Sequence, residues 1–228
     1  VRIHPAAGPD PVGEAQTVVD LVRQTLAETA GGQVAVLARA RSHLREIAAI
    51  NDLAGRVDLG LVVESVETAE FLAANLSAPV GVWLKIDTGY HRTGIPWDNG
   101  DRLRTVAAAV QDGAKMALRG LLTHAGHSYG ARTPAELQTI YDDTVQNLAA
   151  ARIVLAGEGI TGLANSLGDT PCCSMVQDFS AVEEIRPGNF VFYDLTQVQI
   201  GACQREDIAV AVACPVVALR PDDHKIVI

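Results

Sequence analysis

The most informative part of the sequence is Lys85-Ile86-Asp87-Thr88-Gly89-Tyr90-His91-Arg92-Thr93-Gly94, which directly follows the apolar run Val80-Gly81-Val82-Trp83-Leu84. An apolar strand that ends in a charged turn is typical of an α/β barrel, whose functional groups lie at the carboxyl ends of its strands. Arg92 would then present a planar cation at the barrel mouth, suited to a phenolate, carboxylate or phosphate oxygen. The alternative is a surface turn in which Asp87 pairs with Arg92, and this stretch alone favours neither. We expect Lys85, on the strand itself, to be structural and to need a partner for its charge.

The same arrangement recurs in three later segments, each at the end of a predicted strand: Gly120–Tyr129, Ala164–Pro171 and Glu184–Asp194. A neutral imidazole at His124 could stack on a flat ring or hydrogen-bond a substrate. An isolated histidine is more often a core residue bonded to a neighbouring loop, but the following His127-Ser128-Tyr129 favours a site. Two histidines that are separated by a turn, without an acidic ligand nearby, do not predict a metal site.

The last two of these segments share small hydroxyl and glycine residues at strand ends. Barrels often bind phosphate on the loops after the late strands, through backbone N–H groups and short side-chain donors. Each segment alone is compatible with an ordinary turn. Two of them in order, on the last two predicted strands, favour a phosphate site. The candidate residues are Asn165, Ser166, Thr170, Arg186, Gly188 and Asn189.

Strands and helices alternate along the chain, and each crossover is long enough for a parallel connection. The predicted strands are 33–38, 57–63, 80–86, 118–123, 160–164 and 182–186, and the predicted helices are 14–28, 42–54, 65–75, 99–111 and 134–156. This order predicts a (β/α)8 TIM-type barrel that is incomplete, because a closed barrel needs eight strands. An open doubly wound sheet is the alternative, but no glycine-rich phosphate loop follows the first strand.

A change of pattern divides the chain into two regions. We assign residues 1–200 to the barrel. Residues 201–228 contain a long β-rich run, Ile208–Leu219, and a further strand that begins at Lys225. We interpret them as the start of a C-terminal β domain.

Composition limits the classes of partner. The net charge of −9 over 228 residues argues against a nucleic-acid partner, since phosphate binding needs a basic face. No apolar run approaches the roughly 20 residues that span a bilayer, and the amino terminus lacks a signal-peptide pattern. The four cysteines form no C-x-x-C pair, so neither a zinc knuckle nor a redox motif is indicated. We expect a cytoplasmic protein without a nucleic-acid or membrane partner.

Taken in order, the four segments resemble the fold-type III pyridoxal-phosphate enzymes, whose barrel is shared by alanine racemase. The motifs similar to alanine racemase are Lys85–Gly94, Thr123-His124 and Asn165-Ser166. The motifs that look more like the D-serine dehydratase and D-threonine aldolase branch are Gly126–Tyr129, Ser166–Pro171 and Arg186–Asp194. The resemblance covers roughly residue 34 to the end of the sequence.

The resemblance implies pyridoxal 5'-phosphate as cofactor and assigns roles by position. Arg92 would hold the ring hydroxyl oxygen and His124 would pack against the ring face, and we single out these two as catalytic. The phosphate would be held by Ser166, Thr170, Gly188 and Asn189, with Asn165 in the same motif. Two candidates match the ring nitrogen, Arg186 at the racemase position and Tyr129 at the dehydratase and aldolase position. Either partner would leave that nitrogen unprotonated, and the ring would then accept less negative charge from the substrate.

The sequence departs from the family in its lysines. The family carries a Schiff-base lysine on an early strand, whereas this chain contains only Lys85, Lys115 and Lys225, none at that position. The segment Val36–His43 lies near the expected strand but holds arginines, which stay protonated and form no imine. In the dehydratase branch a divalent metal, such as zinc, is held by the C-terminal domain, so we expect its ligands outside this chain. Truncation, a missing segment or degeneration would each explain these departures.

The resemblance therefore implies a pyridoxal-phosphate-dependent lyase acting on a D-amino acid, most of all a D-serine dehydratase-like enzyme, with a D-threonine aldolase-like activity as a variant. An amino-acid racemase is the nearest alternative. A pseudoenzyme or a non-catalytic cofactor-binding protein without the Schiff-base lysine is the alternative from another class. Family members form homodimers in which one subunit's β domain closes the other's site. A barrel without that domain would have little activity.

Overall fold

The computed structural model describes residues 47–228, so the helix predicted at 14–28, the strand predicted at 33–38 and the start of the 42–54 helix lie outside the described residues. The described helices are α1 (Ile47–Ala54), α2 (Val66–Asn75), α3 (Gly100–Gln111), α4 (Pro134–Ala156), α5 (Thr170–Met175) and α6 (Leu195–Ile200). The described strands are β1 (Gly60–Val63), β2 (Val80–Asp87), β3 (Ile95–Pro96), β4 (Met116–Thr123), β5 (Ala164–Leu167), β6 (Glu184–Ile185), β7 (Ala218–Arg220) and β8 (Lys225–Val227).

Helix ends follow local capping chemistry. The Ser65 side chain accepts a hydrogen bond from the Thr68 amide and begins α2. The Thr133 side chain caps α4 in the same way, and Pro134 occupies its first turn, where a missing N–H costs nothing. These two helices confirm the predicted boundaries within one residue. Helices α5 and α6 were not predicted, although aspartates cap both of them.

One strand lies later than the sequence pattern predicts. The apolar residues Ile160 and Leu163 indicated a strand at 160–164, but both are buried in the main core before β5 begins at Ala164. They pack as part of the loop that leaves α4. The paired strand is the more polar segment Ala164–Leu167, so the prediction of its position was wrong.

The sheet is parallel throughout and follows chain order. Its strands are arranged β1-β2-β4-β5-β6, and the short β3 pairs with the end of β2. A doubly wound sheet would reverse direction at a switch point, whereas a barrel adds each strand beside the last. The described strands therefore form the barrel-type sheet that the alternation predicted.

The two faces of the sheet differ in chemistry. Val80, Val82, Leu84 and Ile86 of β2 are all buried in one core cluster with side chains of α2, α3 and α4. The alternate residues of β2, among them Trp83 and Lys85, face the opposite side, which we call the inner face. Trp83 lies there over Gly60 and Gly120 of the neighbouring strands, where a Cβ would approach its ring within 3.2 Å and 2.6 Å. The Trp83 side chain thus covers the inner face below the carboxyl ends of the strands.

The C-terminal segment is exposed. Within the predicted β-rich run Ile208–Leu219, regular pairing begins only at Ala218, where β7 pairs with β8 in a two-stranded antiparallel sheet. Pro215 interrupts the run, and residues 209–217 have no partner strand among the described residues. Of the predicted β-rich run, only its last two residues lie in a strand, while the strand predicted to begin at Lys225 is confirmed. No helix in residues 47–228 is long and apolar enough to cross a membrane.

Candidate functional site

The turn after β2 is built on Asp87. One carboxylate oxygen of Asp87 accepts hydrogen bonds from the amides of Gly89 and His91, each at 3.0 Å. Burial would raise the pKa of this carboxyl, but the backbone N–H groups outweigh it and hold the pKa below its usual value. His91 Nδ1 lies 3.4 Å from the other oxygen. Asp87 therefore organises the turn, and the predicted alternative of an Asp87–Arg92 surface pair is not what forms.

Gly94 closes this turn in a conformation that only glycine tolerates easily. Its φ is +114°, and a Cβ would lie 2.7 Å from the Asp87 amide nitrogen. The close return of the chain places Arg92 at the strand end, where its guanidinium carbon lies 5.1 Å from the centroid of the Tyr90 ring. A cation at this distance over an aromatic face is attracted by the ring quadrupole. The Tyr90 ring therefore orients the exposed side chain of Arg92.

Tyr90 joins the turn to the next strand end. Its ring centroid lies 5.7 Å from that of His124, at an interplanar angle of 70°, and 6.5 Å from that of His127. The ring rests on Gly126, where a Cβ would approach it within 2.3 Å. His124 in turn lies 6.3 Å from Tyr129 between ring centroids. Four aromatic side chains and one arginine therefore form a continuous group across the ends of β2 and β4.

His124 is held as a neutral base. Its Nδ1 contacts the carbonyl oxygen of Gly168, and because a carbonyl can only accept, Nδ1 carries the proton. Burial lowers the pKa of His124, and the cations Arg92 and Lys85 lower it further. The bond to Gly168 also ties the end of β4 to the end of β5. Nε2 therefore has a lone pair available at neutral pH.

Arg186 links the carboxyl ends of three strands. Its Nε donates to Ser166 Oγ at 2.6 Å, and one Nη donates to the carbonyls of Thr123 and Ser166 at 2.9 and 3.0 Å. The remaining Nη packs against Gly168, where a Cβ would lie 2.8 Å away. Burial lowers the pKa of Arg186, and the Glu184 carboxylate, 3.2 Å from Nε, opposes that effect. Most of the donors of this guanidinium are used inside the barrel.

The hydroxyl groups of Ser166 and Thr170 differ in whether they can still donate a hydrogen bond to a ligand. Ser166 Oγ accepts from Arg186 and donates to Glu184 Oε1. Thr170 Oγ1 accepts from the amide of Asn189 at 3.0 Å, which leaves its own proton free to donate. Gly188 precedes Asn189, and a Cβ there would have no atom within 4 Å, so the loop borders open space.

Asn165 is separate from the other candidate residues. It pairs in register with Leu121, a member of the core cluster on the helix side, whereas Ser166 pairs with Leu122. Its side-chain amide donates to Ala181 O at 3.0 Å, and its backbone amide donates to Glu183. The structure therefore brings together Arg92, His124, Tyr129, Ser166, Thr170, Arg186, Gly188 and Asn189, but places Asn165 on the other face of β5.

Cationic charge concentrates at this end of the sheet. Burial, followed by the nearby charges of Arg186 and Arg92, lowers the pKa of Lys85 to about 8. The carboxylates of Glu64 and Asp87 act in the opposite direction and raise the pKa of Lys85, but less than burial and the two arginines lower it. Three cations therefore influence one another on the inner face of an acidic chain. Such a site suits an anionic ligand.

Tyr90 and Glu184 are the residues that sequence reasoning left without a role. Both stand inside the quoted segments, two positions from Arg92 and Arg186 respectively. For Glu184 that spacing was an available signal, because alternate residues of a strand share a face and Arg186 directly follows β6. Tyr90 and Arg92 lie in the turn after β2, where this rule does not apply. In residues 47–228, no group of three or more His, Cys, Asp or Glu side chains is placed to hold a metal ion.

The sequence matches known proteins over most of its length. Residues 16–195 match the model of the alanine racemase N-terminal domain. The chain is 35% identical over 168 residues to D-threo-3-hydroxyaspartate dehydratase of Delftia sp. (strain HT23), covering 72% of this chain and 44% of that protein. It is 30% identical to the D-serine dehydratase of Dictyostelium discoideum, covering 64% of this chain and 39% of that protein. The chain thus spans less than half the length of these curated relatives.

Solved structures give the same result. The structure of the Delftia dehydratase superposes with a TM-score of 0.73 at 31% identity, covering 90% of this chain and 54% of that one. An alanine racemase-like protein from Idiomarina loihiensis gives a TM-score of 0.74 at 25% identity, covering 92% and 55%. D-threonine aldolase from Filomicrobium marinum gives 0.66 at 20% identity, which extends the likeness in fold alone.

Proposed function

The chain belongs to the alanine racemase N-terminal domain family, and on this basis we propose that it is the barrel of a pyridoxal-phosphate-dependent enzyme acting on D-amino acids. The observation that carries the proposal is the group formed by Arg92, Tyr90 and His124 beside the open loop at Gly188. A D-serine dehydratase-like lyase is the activity that we favour. The two curated relatives described above are dehydratases, which supports that choice.

The described residues fit an anionic ring cofactor. Arg186 and Arg92 lie near enough to Lys85 to lower its pKa, and cations of this kind suit a phosphate and a phenolate. The Gly188 loop has space beside it, and the Thr170 hydroxyl retains a proton to donate. Arg92 would hold the ring oxygen and His124 would pack against the ring. The phosphate would lie at Ser166, Thr170, Gly188 and Asn189.

The partner of the ring nitrogen distinguishes the two branches. Arg186 uses Nε and one Nη on Ser166 and Thr123, so it has little left to offer a ligand. Tyr129 lies beside His124 and its hydroxyl is not engaged by another described side chain. We therefore propose Tyr129 as the neutral partner. This choice favours a lyase of the dehydratase and aldolase branch over a racemase.

The chemistry divides between cofactor and protein. Pyridoxal phosphate, when bound, stabilises negative charge at the α-carbon of an amino acid. Arg92 would fix the orientation of the ring, since its guanidinium is held over Tyr90. His124, neutral and protonated on Nδ1, presents no competing charge to the ring face. A neutral Tyr129 would leave the ring nitrogen unprotonated and limit charge build-up.

The proposals for the substrate and the metal are based on the similar proteins. We propose a β-hydroxy D-amino acid such as D-serine, with a D-threonine aldolase-like reaction as a variant and a racemase as the alternative. One solved form of the related dehydratase is described as metal-free, which supports a divalent metal, such as zinc, in the whole enzyme. Its ligands would lie outside this chain. We further propose a cytoplasmic homodimer without a membrane partner. We also propose that it has no nucleic-acid partner, which the net charge of −9 supports.

The regions of the chain support the same proposal. We propose that residues 1–200 are the cofactor-binding barrel and that 201–228 begin a C-terminal β domain. The β7–β8 hairpin supports this, because its apolar residues Leu219 and Ile226 are 66% and 67% exposed. An isolated two-stranded hairpin is marginally stable in water, so it needs further strands or a partner surface.

Product analysis tests the proposed reaction. The protein is supplied with pyridoxal phosphate and either D-serine, D-threonine or D-alanine. We expect ammonia and a keto acid from D-serine. Glycine and an aldehyde from D-threonine would indicate an aldolase, and L-alanine from D-alanine would indicate a racemase. Absence of saturable cofactor binding would refute the proposal and leave a pseudoenzyme.

A further inference from the structure

Asp169 is a buried carboxylate in the loop between β5 and α5, where its side chain is 2% exposed. One of its oxygens accepts a hydrogen bond from the Cys172 amide at 2.9 Å and caps α5. The same oxygen accepts a second hydrogen bond, at 2.7 Å, from the hydroxyl of Ser128, which lies 41 residues earlier in the chain. A serine caps a helix about as well as an aspartate does. Capping alone therefore does not explain Asp169, whose longer side chain reaches Ser128.

The contact around Asp169 leaves buried polar atoms unpaired. The other oxygen of Asp169 has no hydrogen-bond partner among residues 47–228, and neither has the buried Nδ1 of His127, the residue before Ser128. Burial lowers the pKa of His127, and the negative charge of Asp169 is the strongest of the effects that oppose it. A buried polar atom without a partner costs free energy. The contact is therefore not optimised for stability alone.

Three hydrogen bonds join the segment after β4 to the segment after β5. The Gly168 amide donates to the Thr123 carbonyl at 3.1 Å, and the His124 ring donates to the Gly168 carbonyl. The bond from Ser128 to Asp169 is the third. The first two fix His124 at the strand end without help from Asp169. Of the three, only the third reaches the turn beyond the strand end.

Ser128 is the most firmly held residue of that turn, Gly126–Gly130. Its side chain is fully buried, its amide donates to the Ala125 carbonyl at 3.0 Å, and its carbonyl accepts from the Ala131 amide at 3.1 Å. Tyr129 is the next residue, so a shift of Ser128 moves the backbone from which the Tyr129 side chain extends. The position of the Tyr129 ring therefore depends on what holds Ser128.

From these contacts we propose that Asp169 is a positioning residue, which holds Tyr129 against the ring nitrogen of the bound cofactor through its hydrogen bond to Ser128. This inference rests on the proposed function, in which Tyr129 is the neutral partner of that nitrogen. Asp169 itself does not touch the ligand, but it fixes the direction from which the Tyr129 hydroxyl donates. Because a hydrogen bond weakens steeply as its angle departs from linear, a small displacement of the turn is enough to lose it.

Two ligands that differ at one ring position test this role. Pyridoxine 5'-phosphate contains the ring nitrogen, and its benzene analogue has C–H in that place and the same substituents. Calorimetric titration of the protein with each ligand gives the ratio of the two affinities. Tyr129→Phe gives the ratio without the hydrogen bond to the nitrogen. We expect the preference of the wild type for pyridoxine phosphate to exceed that of Tyr129→Phe by about five- to tenfold.

Two variants remove the link from opposite sides. Asp169→Ser keeps a capping oxygen but is too short to reach Ser128, and Ser128→Ala removes the donor. We expect both variants to show the ratio of Tyr129→Phe and to bind the benzene analogue as the wild type does. Adding Tyr129→Phe to Asp169→Ser should change the ratio no further, since both act on one hydrogen bond. The matched control is Asp178→Ser, in the exposed loop between α5 and β6, which should keep the wild-type ratio.

The outcomes separate this inference from the proposed function. A wild-type ratio in Asp169→Ser or in Ser128→Ala would overturn the positioning role. An equal loss of affinity for both ligands would also overturn it, because Asp169 would then support only the phosphate loop. If the wild type bound both ligands with the ratio of Tyr129→Phe, the inference would fail and the cofactor site would stand. Binding of neither ligand by the wild type would refute the proposed function itself. If Asp169→Ser does not fold, Ser128→Ala makes the same prediction from the other segment.

Discussion

Replacing Arg186 by methionine should destabilise the protein strongly, because this side chain links β4, β5 and β6. It donates three hydrogen bonds, to Ser166 Oγ and to the carbonyls of Thr123 and Ser166. Hydrogen bonds from a charged donor contribute about 1.5–3 kcal/mol each. Burying the cation offsets part of that sum, as the lowered pKa of Arg186 indicates. We expect a net loss of about 3 kcal/mol in the free energy of unfolding.

Urea titration of the wild type and the variant measures this loss. The matched control is Arg119→Met, which removes an arginine of β4 whose side chain lies against Gly81 of β2 and pairs with Asp58. The side chains of that pair are 34% and 48% exposed, so its loss should cost about 1 kcal/mol or less. If Arg186→Met were no more destabilising than Arg119→Met, Arg186 would not be a structural link. Its donors would then be free for the ring nitrogen, and the argument for Tyr129 would fail.

Three further predictions concern the site and its surroundings. Gly126→Ala should displace the Tyr90 ring, since the Cβ would come within 2.3 Å of it. Because that ring is 37% exposed and can turn away, thermal unfolding should show a loss of about 1 kcal/mol or less in the free energy of unfolding. The pKa of His124 is lower in the folded than in the unfolded protein. The stability that His124 contributes is therefore present above about pH 6.5 and is lost as the pH falls through the folded pKa. His124→Gln should make the free energy of unfolding less dependent on pH in that range. Burial raises the pKa of Cys173 to about 11, so iodoacetamide at pH 8 should modify the exposed Cys214 first, and equal rates would contradict the burial.

Local signals were enough to predict most of the barrel elements. The helix Pro134–Ala156 was predicted with its exact bounds, and the structure shows that Thr133 caps it and that Pro134 lies in its first turn. Strand β2 was predicted because an apolar run ended in charge. In each case the signal lies within a few residues of the element it defines.

The misplaced strand shows where local reasoning fails. Apolar periodicity favoured 160–164, yet Ile160 and Leu163 serve the core as loop residues, and the polar Asn165-Ser166 form the strand. A buried apolar residue can be supplied by loop or strand alike. Pairing with β4 determines which residues form the strand, and β4 lies more than 40 residues earlier in the chain.

The candidate site residues were easier to select from the sequence than the contacts they make. Arg92, His124 and Arg186 stand out as polar residues at strand ends, but the sequence did not indicate that Arg186 bonds to Thr123, 63 residues away. Nor did it indicate that Lys85 would be buried near Arg186 and Arg92. Such contacts depend on how neighbouring strands are aligned, which no short motif contains.

Calorimetric titration with pyridoxine 5'-phosphate, on the wild type and on Gly188→Val, tests the cofactor site most directly. The φ of Gly188 is −97° and a Cβ there meets nothing within 4 Å, so valine should fold normally and fill the open space. We predict saturable binding by the wild type and an affinity at least about tenfold weaker in the variant, a difference of about 1.4 kcal/mol. Equal affinities, or no binding by the wild type, would contradict a phosphate site at this loop.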